Sequence, residues 1–183
     1  MRFILSNELD NDDFIEDLLQ IDTLVYDESN QGTAENVIAR YHVNRETIIL
    51  AADNSRFIGY IAFFPITDKL SKRIQSEDSM FDDNIRPEDI LPSYTCDRDI
   101  DLFLISIAVH PEYQGKGIGV ELVKRFNKFV SEKSGSGCRI RNVYSYAVTD
   151  AGERLLSKAG FCEVKSILQP MSNHAVKLMQ HCF

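Results

Sequence analysis

The sequence has no C-x-x-C pair, no apolar stretch near the roughly 18 residues of a membrane span, and fewer basic than acidic side chains. Each lack excludes a class of function. Cys96, Cys138, Cys162 and Cys182 are too widely spaced for a zinc site or a dithiol redox motif, so no metal is expected. Twenty basic against 28 acidic residues leave a net charge of −8, a poor match for nucleic acid or an anionic membrane surface. The opening "MRFILSNELDNDD" has too short an apolar run for a secretory leader, so a reducing cytoplasm is the expected compartment. What is present is a soluble globular balance, 44% hydrophobic and 26% charged, over 183 residues. That length fits one domain, 1–183, with a substantial core.

The patterning predicts alternating elements. Residues 2–5 suit a short strand. Phe14, Leu18, Ile21 and Val25 recur at helical spacing, and a second helix follows Thr33 as cap. "TIILAAD" and "RFIGYIAFF" flank Asn54-Ser55 as a β-hairpin, expected to end at Pro65. Residues 66–98, with a short helix at 67–76 and an acidic patch, are longer than most loops and suit an insertion that forms a flap over a site. "IDLFLISIAV" at 100–109 is a nearly continuous apolar run, as in a strand covered on both faces. A helix with the stripe Leu122, Val123, Phe126, Phe129 and Val130 comes next. A strand at 140–148, a helix from Thr149 or Asp150 to Ala159, and two terminal strands complete the chain. This order is α/β, a mixed sheet with helices on its faces.

The stretch "HPEYQGKGIG", 110–119, joins the long apolar run to the next helix. Alternate glycines before a helix start permit close approach of a ligand to unpaired N–H groups, which suits phosphate. A P-loop requires Lys-Ser or Lys-Thr after its last glycine, and Val120-Glu121 stands there instead. The dinucleotide fingerprint requires G-x-G-x-x-G, and the spacing here is G-x-G-x-G. Gln114-Gly115-Lys116-Gly117-Ile118-Gly119 instead resembles Q/R-x-x-G-x-G/A, the pyrophosphate signature of GNAT-type N-acetyltransferases. The segment "TDAGERLLSKAGF" is similar to a later helix of that family. The resemblance runs from about Thr47 onward.

The resemblance implies the GNAT acyltransferase fold: a mixed central sheet with splayed parallel strands, flanking helices and a C-terminal β-hairpin. It implies acetyl-CoA as co-substrate and an amine as acceptor. Main-chain groups of Ile107, Ala108 and Val109 would hold the pantetheine arm, and N–H groups of Gly115, Lys116, Gly117, Ile118, Gly119 and Val120 would face the pyrophosphate, with Gln114 beside them. Many relatives place a proton-donating Tyr four residues before the Gly of Gly-Phe, where this chain has Leu156. The substitute candidates are Tyr144 and Tyr146, which alternate with Ser145 and share a face. Asp101 is the nearest acid on the face of Phe103 and Ile105, and is the candidate base. The missing Tyr also leaves open a second reading, an acyl-CoA-binding regulatory module with little transfer. The acceptor's identity and the oligomeric state, a homodimer included, stay open.

Overall fold

The computed structural model describes residues 1–77, 85–94, 98–168 and 175–182. Seven strands form one sheet in the order β1-β2-β3-β4-β5-β7-β6. They are β1 (Arg2–Leu5), β2 (Ile48–Asp53), β3 (Arg56–Ile66), β4 (Asp99–Val109), β5 (Arg139–Ala147), β6 (Cys162–Leu168) and β7 (Ala175–Cys182). Among the described residues only the β4–β5 pair is parallel. The last two strands form the expected C-terminal antiparallel pair, with β7 against β5. The turn joining them, with Pro170 and Asn173, lies outside the described residues.

The helices are α1 (Phe14–Val25), α2 (Ala34–Val43), α3 (Asp68–Ser76), α4 (Ile118–Gly135) and α5 (Asp150–Lys158). Thr33, Thr67 and Thr149 cap α2, α3 and α5 by accepting hydrogen bonds from the N–H groups of Asn36, Leu70 and Gly152. The stripe on α4 packs with Phe63, Leu102 and Leu104 on one sheet face, and Leu156 of α5 joins it. Helices α1 and α2 cover the other face through Phe14, Leu18, Ile21 and Tyr41 against Leu50, Tyr60 and Ala108.

One expectation is corrected. β3 does not stop at Pro65 but runs to Ile66. The carbonyl of Pro65 turns away from β4 to accept from Leu91 N–H, and its nitrogen faces the same side, so the missing donor costs no bond in the β3–β4 ladder. Of the segment 66–98 expected as an insertion and flap, the described residues pack on the sheet. Leu70, Ile74, Ile85 and Ile90 pack with Phe64, Phe103 and Leu178 as a third apolar cluster. The acidic stretch 78–84 lies outside the described residues.

Within β4, Ala62 opposes Ser106 and Phe63 opposes Leu104, so Ile105 has no partner on β3. This bulge turns two successive side chains, Ile105 and Ser106, to the α1–α2 face and shifts the parity of the rest of the strand. Leu102 and Leu104 face α4 before it, and Ile107 and Val109 do so after it. The parallel ladder with β5 ends at Leu104↔Ser145. Beyond that point β4 and β5 separate.

The aromatic pair Phe63–Phe126, with centroids 4.7 Å apart and both rings fully buried, joins the sheet to α4. We expect Phe126→Ala to cost about 3–5 kcal/mol, read from the urea midpoint, since the cavity sits between rigid elements. A loss below about 1 kcal/mol would show that the interface repacks.

Candidate acyl-transfer site

The gap between β4 and β5 opens into a cleft of about 590 Å³ that passes through the sheet. Its lining runs from Leu18 and Asp22 of α1, past the wall of β4, to Gly119 of α4 and Leu155 of α5. A ligand reaching from one face to the other fits such a passage.

The main chain of the β4 wall has a definite phase. His110 N–H donates to Ile58 O, so alternate residues, Ala108 among them, turn their peptide groups to β3. Ile107 and Val109 turn theirs to the gap. Both carbonyls have side-chain donors: Tyr26 Oη to Ile107 O at 2.9 Å and Gln114 Nε2 to Val109 O at 2.9 Å. Ala108 therefore departs from the expected trio, because its peptide is used in the ladder and its side chain is buried against α1 and α2.

At the far end, Gly115 (φ 73°) and Gly117 (φ 80°) adopt the left-handed region that other residues avoid. Nothing lies within 4 Å of where a Cβ would project from either. Gly117 caps α4 without a side-chain bond, so the first N–H groups of the helix point outward unpaired. Gln114, Gly115, Gly117, Ile118, Gly119 and Val120 all line the cleft. These features fit an anion at the positive end of α4. Lys116 does not line the cleft: its Nζ donates to Glu112 O at 2.9 Å and lies over the Tyr113 ring.

Of the proton-transfer candidates, the cleft takes in Tyr146 alone. Tyr146 packs edge-on to Phe103, with centroids 5.6 Å apart. Tyr144, 1% exposed, sits in the α3 cluster, and burial together with the neighbouring Asp101 pushes its hydroxyl pKa upward. Asp101, 2% exposed, accepts hydrogen bonds from Ser71 (2.5 Å), Asn142 (2.9 Å) and Arg141 (3.2 Å). It is a tie between α3, β4 and β5, not a wall of the cleft. Neither Asp101 nor Tyr144 lines the cleft, because α3 covers their side chains at this level of the sheet.

The cleft contains polar groups the sequence did not single out. Asp22, 8% exposed, accepts from the hydroxyl of Tyr60. Tyr60 Oη lies 2.9 Å from Ser106 Oγ, and Ser106 Oγ lies 3.1 Å from Tyr26 Oη. Burial raises Asp22 from 3.8 to about 6, against the opposing pull of the Tyr60 hydrogen bond. Burial, and then the Asp22 charge, raise Tyr60 well above its ordinary value. The available signal was an acid beside Ile21 on the apolar face of α1. The bulge that brings Ser106 to this face left no trace in a run whose other residues from Leu102 to Val109 are all apolar.

The residues 12–161 match the acetyltransferase (GNAT) family. The chain belongs to the GNAT acetyltransferases. No curated protein matches it. Among solved structures it is similar to the GphF GNAT-like decarboxylase in complex with isobutyryl-CoA (TM-score 0.70, 10% identity, 100% of this chain and 99% of that one). It is also similar to Naa50 of Arabidopsis thaliana bound to a CoA-peptide bisubstrate analogue (0.63, 14%, 100% of both chains). A third is yncA of Salmonella typhimurium with acetyl-CoA (0.62, 15%, 100% and 93%). At these identities the likeness shows the GNAT fold. Family membership assigns acyl transfer in general.

A buried carboxylate with a raised pKa opposes folding once ionised. That penalty is full above about pH 6 and vanishes below about pH 4, where Asp22 is protonated in both states. We expect Asp22→Asn to stabilise the protein by up to about 3 kcal/mol near neutral pH and by nothing near pH 3.5. Thermal melts at both pH values check this; a destabilisation at neutral pH would contradict it.

Proposed function

We propose that the protein transfers an acetyl group from acetyl-CoA to an amine by direct attack. The observation that carries the reading is the through-sheet cleft at the β4–β5 gap, with unpaired helix N–H groups at one end and polar side chains at the other. The pyrophosphate lies against N–H groups from Gly115 to Val120, with the glycines leaving room and the helix dipole adding favourable charge. Pantetheine runs along the unpaired β4 edge as an added strand and bonds the outward peptides of Ile107 and Val109. Gln114 then exchanges its bond to Val109 O for one with the ligand or solvent.

Acetyl transfer places negative charge first on the carbonyl oxygen and then on sulfur. The N–H of Ile107 faces the gap and stabilises the oxyanion. Tyr146 is the proton donor to the departing thiolate. Because a thiol titrates near 8.5, that help is useful and not obligatory. The amine enters from the α1–α2 side. The runner-up, a CoA-binding module without transfer, has in its favour Leu156 where many relatives carry the proton-donating Tyr; the donors and acceptors that line the far end of the cleft favour transfer.

Gly117→Glu is expected to abolish acetyl-CoA binding in a calorimetric titration, because its carboxylate takes the pyrophosphate's place. Gly117→Ala shares the left-handed strain, about 1 kcal/mol, without the charge, and retains binding. Wild-type affinity in Gly117→Glu would overturn the cofactor site. Tyr146→Phe is expected to lower turnover by at least about tenfold at unchanged acetyl-CoA affinity. Full turnover would assign the proton to solvent.

A further inference from the structure

The four polar groups at the acceptor end of the cleft form a chain whose hydrogen positions are set by chemistry. Ile107 O can only accept, so the Tyr26 hydroxyl donates to it. Ionised Asp22 can only accept, so the Tyr60 hydroxyl donates to it. Both tyrosine protons are thereby used, so in its contacts with them the Ser106 hydroxyl is the group that can donate. Tyr60 is the nearer, at 2.9 Å against 3.1 Å for Tyr26. The donors therefore point one way, Ser106 to Tyr60 to Asp22. Ser106 Oγ keeps lone pairs for a donor in the cleft, which it lines beside Ile107.

We propose that this chain is the proton exit of the reaction: Ser106 receives the proton of the attacking amine, and Asp22, acting through Tyr60, is its destination. The inference rests on the amine-acetyltransferase reading and names the base that Asp101 does not supply. The nitrogen lone pair forms the C–N bond to the acetyl carbon, and the C–S bond breaks with its electrons going to sulfur. The nitrogen proton moves to Ser106 Oγ, the Ser106 proton to Tyr60, and the Tyr60 proton to Asp22. An amine bonded to a carbonyl carbon is far more acidic than a free ammonium, so a carboxylate titrating near 6 is a competent acceptor. The titratable or charged groups on the elements around Asp22 are Tyr60 of β3, Tyr26 beyond α1, and Arg40 and Tyr41 of α2. Burial is the main cause of the Asp22 shift, and the Tyr60 hydrogen bond opposes it. Ser106 is the group that touches the substrate; Tyr60 and Asp22 act through it.

The test has two readouts. The first is thiol release from acetyl-CoA with spermidine, phenylethylamine, lysine and a short peptide with a free amino terminus, across pH. With the amine that reacts fastest, wild-type kcat is expected to fall on the acid side with a midpoint near 6. Asp22→Asn, Tyr60→Phe and Ser106→Ala each lower kcat by at least about tenfold and remove that limb, at unchanged acetyl-CoA affinity. Ser106→Thr, which keeps the hydroxyl, restores most of the rate. The second readout needs no turnover: the Asp22 side-chain carboxyl, titrated by carbon NMR, moves upward in Tyr60→Phe because a donor to the carboxylate is lost. An acid limb that persists at the wild-type rate in Asp22→Asn, or an unmoved midpoint in Tyr60→Phe, overturns the relay and leaves amine acetylation standing. No thiol release from bound acetyl-CoA with any amine overturns both.

Discussion

The constraint on which the rest depends is the loss of pairing between β4 and β5 after Leu104↔Ser145. A parallel pair normally stays joined along its length, because unpaired peptides are costly away from water. Here the bulge at Ile105 bends β4 and re-aims the residues from Ser106 to Val109. One extra residue has three effects. It opens the passage through the sheet, leaves the peptides of Ile107 and Val109 facing that passage, and turns Ser106 toward the α1–α2 side.

The site is assembled from local departures from what stability favours. α4 starts without a side-chain cap, although threonine caps serve α2, α3 and α5. Two glycines at its start sit in the left-handed region, with no atom near the Cβ they lack. Asp22 is an acid on the apolar face of α1. Each departure leaves a donor or an acceptor directed into the cleft, and the three apolar clusters around the sheet offset the cost. Where the cleft ends, the polar groups return to ordinary structural use. Asp101 ties α3 to β5, and Lys116 folds back on its own loop.

Much of this was legible in the sequence, for identifiable reasons. The glycine loop carries its own signature, and the apolar stripe of α4 runs unbroken, so local pattern was enough for the fold and for the glycine-lined end of the cleft. It was not enough for the end beside α1 and α2. Strand parity put Asp101 on the face of Phe103 and Tyr144 on one face with Tyr146, but which helix covers a face is a tertiary fact, and α3 buries Asp101 and Tyr144. The bulge is silent because Phe103 to Val109 has almost no polar alternation to register a shift. The Asp22–Tyr60–Ser106 contact joins three elements distant in sequence, with separations of 38 and 46 residues. Pro65 misled because its nitrogen lies on the side where β2 has already ended.

The central claim is that the acyl donor occupies the β4–β5 gap. A crystal structure of the protein with acetyl-CoA tests it most directly. Pantetheine is expected between β4 and β5, bonded to the peptides of Ile107 and Val109, with the pyrophosphate on the N–H groups between Gly115 and Val120. Acetyl-CoA bound elsewhere, with Gln114 still bonded to Val109 O and the gap empty, would contradict it.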